Sequence, residues 1–326
     1  MSLLGPYIHN IDPVIGTIFG VHLWWYGLSY TLGFFNAFNF IGKRRAKLSL
    51  TDLQVYDLAL LIAVGVLVGG RMVEVAFYEW PFYSENLKLI PALWLGGMAS
   101  HGLLIGGLAA VWIFCRIYDK PFLLMTDALA APASFILGAG RIGNFIDGQI
   151  LGSVTTVPWA VKFPDAVGFR HPVVLYDGLK NLLIIPVLLY VGSRFKLPRG
   201  FVTGLFLFLY SFLRIPVDVF REYPTSLLGL ATGQALNIAL SVVGLIAIFL
   251  SYRHSDNDKT PSASNVVTHE DATLTVADTG WRRPVFILIL AFCLIIPSDW
   301  TQDVPDRYGK RHPGLVHSVI YPRITE

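Results

Sequence analysis

Seven positive charges lie within or beside apolar runs of this 326-residue sequence: Arg71, Lys88, Arg141, Lys162, Arg170, Arg214 and Arg221. Five are arginines, whose planar guanidinium clamps phosphate oxygens two at a time. Their contexts, GGRMVEV, GAGRIGNF and FLRIPVDVFRE, put charge where burial is expensive. An ionisable group in such a place is by default a functional candidate. One arginine alone snorkels to the interface or pairs with a nearby carboxylate. Five at one depth point to a shared anionic ligand, and a phospholipid head group is the anion at hand.

Other polar residues cluster in the same boxes. His101, in GGMASHGLLIGG, opens an apolar run beside glycines that allow close helix approach. An imidazole with a pKa near 6.5 can take a proton from a thiol of pKa about 8.5. In GAGRIGNFIDGQILG, Arg141, Asn144 and Asp147 recur at i, i+3 and i+6, one face of a continuing helix. Arg170 and His171 precede Pro172, which suits a first helical turn, and Tyr176 and Asp177 follow. Arg214, Asp218 and Arg221 stand at i+4 and i+3 steps. A salt bridge is their plain reading, yet two arginines around one carboxylate leave positive charge to spare. Tyr26, by itself, reads as a packed tyrosine with one hydrogen bond. The eight histidines show no HExxH and no Cys/His pairing at ligand spacing, so no metal and no cofactor is expected. No nucleophile elbow is present. Cys115 and Cys293 lie in apolar runs as buried thiols.

The elements that must hold these residues are membrane helices. The chain is 54% hydrophobic and 14% charged, against about 25% charged in soluble domains. Its mean hydropathy is +0.57. That excludes a disordered chain, a nucleic-acid binder and most soluble enzymes, and reads as a polytopic all-α membrane protein. Eight spans are predicted: Ile15–Phe38, Leu53–Phe77, Gly102–Tyr118, Pro121–Phe145, Pro172–Val191, Phe201–Val219, Leu230–Tyr252 and a short Pro284–Pro297. The start MSLLGPYIHNIDP has no basic region, so no cleaved signal peptide is expected. Lys43, Arg44, Arg45 and Lys47, then Arg116 and Lys120, then Arg194, Lys196 and Arg199, then Arg253 fall in alternate loops. By the positive-inside rule these loops are cytoplasmic, which places the seven charges above on the outer side. Residues 253–282, rich in Ser, Thr, Asp and Asn, read as a disordered cytoplasmic linker. Residues 299–326 then form an outer tail, and its RYGKRHPGLVHS repeats an Arg-His-Pro by chance or as a lid over the site.

Taken in order, these boxes resemble the prolipoprotein diacylglyceryl transferase family. The most specific part is GRIGNF followed, after a loop, by RHPVVLYD. WYG at Trp25–Gly27, GGR at Gly69–Arg71, the HG of His101, the arginine-rich end of span six and GQ at Gly233–Gln234 support it. The resemblance implies a seven-helix core over residues 1–252, beyond which the eighth helix at 283–298 and the outer tail lie, and a site open to the outer leaflet of a bacterial cytoplasmic membrane. It implies transfer of the diacylglyceryl group of phosphatidylglycerol to the lipobox cysteine in the signal peptide of a prolipoprotein. By motif match it assigns catalysis to Tyr26, His101, Arg141, Asn144 and Arg214. Substrate binding falls to Arg71, Asp147, Gln149, Gly152, Arg170, His171, Asp218 and Arg221. Three positions depart from the family pattern: Gln149 replaces a Glu, Asp147 an Asn, and Asp218 a Glu. These departures leave a second reading, a paralogue that binds or moves anionic lipid without the transfer.

Overall fold

The computed structural model describes residues 6–164, 166–222, 226–227, 230–255, 279–298 and 303–324. The predicted linker lies mostly outside them. Eleven α-helices are described: α1 Trp25–Gly42, α2 Asp52–Val73, α3 Trp80–Glu85, α4 Ser100–Tyr118, α5 Phe122–Ile146, α6 Val173–Arg194, α7 Phe201–Phe212, α8 Arg214–Asp218, α9 Thr232–Ser255, α10 Arg282–Cys293 and α11 Val304–Tyr308. Six helical stretches are long and apolar enough to cross a membrane: Asp52–Tyr78, Ser100–Tyr118, Phe122–Ile146, Val173–Arg194, Phe201–Asp218 and Gln234–Arg253. The protein is an all-α polytopic membrane protein.

The first expected span is corrected at its start. Residues 14–24 form a hairpin, Val14–Ile18 against Val21–Trp24, and α1 begins only at Trp25. The turn Phe19-Gly20 has φ of 48° and 79°, the pair of positive values that a two-residue hairpin turn requires. Apolar composition gave a membrane run, but β-branched residues and this turn make a ribbon instead.

Helix α10 has 12 residues, about 18 Å of rise. That is short of the roughly 30 Å apolar core of a bilayer. It nevertheless runs antiparallel along α1. Phe286 meets Phe38, the Leu290 carbonyl accepts from Thr31 Oγ1 at 2.8 Å, and the Leu294 carbonyl accepts from the Trp24 N–H at 2.8 Å. Arg282 at its start is paired with Asp57 of α2 at 2.6 Å.

Two local rules fix the frame around the site. Helix α2 opens on a capping box, Thr51 Oγ1 accepting from the Gln54 N–H and Gln54 Oε1 from the Thr51 N–H. Helices α2 and α4 meet backbone to backbone at Gly65, Gly69, Gly102 and Gly106. A Cβ on any of these would overlap the partner helix. This contact brings the start of α4, with Ser100 and His101, beside the end of α2. The same end of the bundle carries the starts of α1 and α6 and the ends of α5 and α7. The basic residues 43–47, Arg116, Lys120 and Arg194 lie at the other end, following α1, α4 and α6. Over the first end lies a separate apolar cluster in which Val304, Tyr308, Leu315 and Tyr321 of the C-terminal tail pack on Val14, Trp24, Ala92 and Leu95.

Candidate active site

Asp177 is the centre of the site. It sits one turn into α6, is 3% exposed, and joins three cations from three helices. Its Oδ2 accepts from Arg141 Nε of α5 at 2.7 Å and from Arg214 Nη1 of α8. Its Oδ1 faces Lys180 Nζ, three residues on, at 2.9 Å. Lys180 also donates to the Tyr210 carbonyl at 2.9 Å and lies over the Tyr210 ring. Arg214 reaches Asp218 Oδ1 at 3.4 Å, and Asp218 accepts from Asn237 of α9 at 2.7 Å. Three cations thus face two carboxylates, and the group keeps a surplus positive charge.

The outward side of this cluster is polar but neutral. Arg141 Nη1 donates to Asn144 Oδ1 and Nη2 to Ser100 Oγ, both at 3.2 Å. His101, next to Ser100, lies within the electrostatic reach of Arg214, Arg141 and Asp218. Its Nδ1 is 3.3 Å from the Tyr78 hydroxyl. Tyr26 is buried and its hydroxyl is 2.9 Å from that of Tyr30. Gly143 lies against Tyr26, where a Cβ would crowd the Tyr26 Cα at 2.8 Å, so the GRIGNF box packs directly on α1.

One turn deeper, Leu137 of α5 and Leu104 of α4 line an open apolar cavity with Phe34, Val66 and Phe206. Charged donors above and a chamber of mostly apolar walls below match an amphiphile with an anionic head.

The structure brings Tyr26, His101, Arg141, Asn144, Arg214 and Asp218 to this place, and it sets other predicted residues elsewhere. Arg71, 2% exposed, is spent on a loop. Its Nε donates to the Ile90 carbonyl at 2.8 Å, its Nη1 to Gly96 at 2.5 Å, and its Nη2 to Leu89 at 2.7 Å and Ala92 at 3.4 Å. The stretch 87–97 has two single 3-10 turns, Leu87–Leu89 and Leu93–Leu95, and leaves carbonyls that a five-donor side chain satisfies together. Arg170 likewise staples loops, donating to the Gly152 carbonyl at 2.9 Å and pairing with Glu222. Gly152 is where those loops touch, since a Cβ there would overlap the His171 carbonyl. His171 Nδ1 is 3.2 Å from the Tyr176 hydroxyl, and burial lowers its pKa. Helix α8 ends at Asp218, and the Arg221 N–H donates to the Asp218 carbonyl at 3.1 Å.

Asp147 and Gln149 also face away from the cluster. Helix α5 stops at Ile146, and the Asp147 carboxylate accepts from the Ser298 N–H at 3.1 Å and hydroxyl at 2.8 Å. Gln149 Oε1 accepts from Arg307 at 2.9 Å and its Nε2 donates to the Tyr308 hydroxyl at 3.3 Å.

Sequence reasoning passed over Asp177 as a site residue and missed Lys180 and Ser100. The available signal was a carboxylate and a lysine three residues apart within an apolar helix, YDGLKNLL. Among the described residues, Asp303, Asp306 and His317 bring ligand-type atoms within 4.8 Å of one another. Asp303 is already committed as the N-cap of α11, and it also accepts from the Ile324 N–H at 3.1 Å and contacts His317 at 3.0 Å.

Residues 13–250 match the family model described as prolipoprotein diacylglyceryl transferase. A phosphatidylglycerol–prolipoprotein diacylglyceryl transferase of Coxiella burnetii is 36% identical over 259 residues, covering 77% of this chain and 99% of that protein. Proteins of the same name from Photorhabdus laumondii and Chromohalobacter salexigens are 36% and 38% identical, covering 76% of this chain and 95% and 96% of theirs. The family match ends before α10 and the tail.

Proposed function

The chain belongs to the prolipoprotein diacylglyceryl transferase family, and we propose that Arg141, Asp177 and Arg214 form the centre at which it holds the phosphate of phosphatidylglycerol. The protein transfers the diacylglyceryl group of that lipid to a prolipoprotein cysteine. The observation that carries the site assignment is one carboxylate oxygen shared by two guanidiniums above an apolar chamber.

The reaction is a displacement at carbon. The cysteine sulfur bonds to the terminal glyceryl carbon, and the bond from that carbon to the phosphate oxygen breaks. The electron pair leaves on glycerol phosphate. The thiol proton goes to His101. No acyl carbonyl is attacked, so stabilisation is needed on the departing phosphate and not in an oxyanion hole. Asp177 holds Arg141 and Arg214 side by side at one oxygen, so both present their remaining donors with little reorganisation. Asn144 and Ser100 occupy Arg141 with neutral contacts, which an anion displaces at small cost. Tyr26 packs the pocket floor against Gly143. The apolar chamber takes acyl chain.

The lipobox lies in a signal peptide, and the site faces the outer leaflet of the bacterial cytoplasmic membrane. The lysines and arginines following α1, α4 and α6, all at the opposite end of the bundle, support this orientation.

The test uses purified protein in detergent with phosphatidylglycerol and a lipobox peptide holding one cysteine. Glycerol phosphate release should match a diacylglyceryl gain in peptide mass, and Arg141→Ala should abolish both at saturating lipid. Lipid binding without either product would refute the transferase reading and favour a lipid-binding paralogue.

A further inference from the structure

The segment after α10 lies outside the family match, and several of its polar contacts converge on one short turn of the core. That turn, residues 146–149, follows the helix that carries Arg141 and Asn144. Arg311 donates to the Ile146 carbonyl at 2.9 Å and the Asp147 carbonyl at 2.6 Å, and to the Ile11 carbonyl at 3.3 Å. Ser298 binds the Asp147 carboxylate through both its N–H and its hydroxyl. Arg307 and Tyr308 hold the two ends of the Gln149 amide.

The backbone closes α5 itself through Gly148, whose φ is 70°, and Arg311 supplies a charged donor to the Ile146 and Asp147 carbonyls beyond that closure. The turn is tied back to the site as well, for the Gln149 N–H donates to the Asn144 carbonyl at 2.9 Å and the Gly148 N–H to the Phe145 carbonyl at 3.0 Å. The tail is anchored for this purpose by Tyr308 and Tyr321, both fully buried against Trp24 and its neighbours, and by Trp94 Nε1 donating to the Ile320 carbonyl at 3.0 Å. The two unusual residues of the turn are matched to the tail. Gln149 accepts from Arg307 and donates to Tyr308 at once, which a carboxylate cannot do.

We infer that residues 303–324 are a built-in clamp on the end of α5, and that Arg311, Arg307 and Tyr308 are positioning residues that set Asn144 and Arg141 for phosphate departure. The inference rests on the transferase reading above. Its elements act on the turn and touch no substrate.

The experiment compares the full chain with Arg311→Ala, Arg311→Lys and the control Val319→Ser, a fully exposed tail position. Hydrogen exchange of residues 144–150 reads the clamp without any activity. Steady-state turnover, with kcat separated from the KM for phosphatidylglycerol, reads positioning. Arg311→Ala should speed exchange in the turn and lower kcat about 10- to 100-fold with KM nearly unchanged, as a misplaced catalytic group does. Arg311→Lys should recover part of both, and Val319→Ser should match the parent. Unchanged exchange in Arg311→Ala would overturn the clamp. Faster exchange with unchanged kcat would overturn the positioning role. Absence of turnover in the parent chain would instead remove the transferase reading, and the exchange result would still report on the clamp.

Discussion

Asp177→Asn is the sharpest test of the site. The substitution keeps the shape and removes the one charge that Arg141, Arg214 and Lys180 share. Among the described residues, Asp218 then remains as the carboxylate that faces these buried cations. Removing one partner of a buried ion pair costs about 3–5 kcal/mol, because the other charge is left uncompensated. At 1.4 kcal/mol per decade that is roughly a hundred- to a few-thousandfold in the folding equilibrium. Thermal and denaturant unfolding in detergent should register it as a large loss of stability. Turnover should fall as well, since the two guanidiniums lose the oxygen that aligns them.

A second variant separates the two effects. Asp177→Asn with Lys180→Met removes one charge of each sign and restores the original surplus. A buried pair exchanged for uncharged groups is often neutral in stability. The double variant should therefore regain most of the lost stability, with a coupling of about 0.5–3 kcal/mol between the sites. It should not regain turnover, because Arg141 and Arg214 stay unaligned. A double variant no more stable than Asp177→Asn would refute the charge argument. Asp177→Asn turning over within about threefold of the parent would refute the alignment argument.

Other predictions bear on residues that the sequence grouped with the site. Arg71→Lys keeps the charge but cannot reach carbonyls at positions 89, 90, 92 and 96 together, so stability should drop by about 2–4 kcal/mol while the KM for phosphatidylglycerol holds. A KM rise above about tenfold at unchanged stability would make Arg71 a lipid contact after all. Gln149→Glu keeps the acceptor for Arg307 but loses the donor to Tyr308, so it should lower kcat by less than Arg311→Ala does, with the KM for phosphatidylglycerol unchanged. A large gain in turnover, measured by glycerol phosphate release, would place position 149 in the chemistry. Acidification should loosen the covered end of the bundle. Burial lowers the pKa of His9, whose Nε2 contacts the Phe145 carbonyl and which faces Arg311. Burial and His312 lower that of His22, against an opposing pull from Asp12. A depressed histidine favours the fold in its neutral form, so this stability is complete above about pH 6.5 and is lost as pH falls below it. The thermal midpoint should decline from about pH 7.5 to about pH 5.5, and His9→Gln should flatten the decline.

The membrane architecture was legible because apolar runs of helical length have few other fates, and the glycines beside His101 marked a close helix approach without naming α2 as the partner. The hairpin at 14–24 was hidden by the same apolar composition, although the turn Phe19-Gly20 and the β-branched residues before it marked it. Within the site, Arg141 and Asn144 were found from an i, i+3 spacing, which a helix converts directly into contact. Asp177 was seen and not ranked, because its importance lies in contacts from α5 and α8, 36 and 37 residues away. Arg71 is the converse case. Sequence gives the depth of a charge but not the acceptors around it, and a loop of unpaired carbonyls competes with a phosphate for the same five donors. The tail was the least legible part. Arg311 acts on carbonyls 164 and 165 residues earlier in the chain, and a backbone acceptor leaves no pattern in the sequence. What remained visible was the other side of that contact, Asp147 and Gln149, two polar residues departing from the motif around them. A departure inside a catalytic motif is therefore ambiguous by itself. It marks lost chemistry or a new structural partner, and only the side chain's direction tells the two apart.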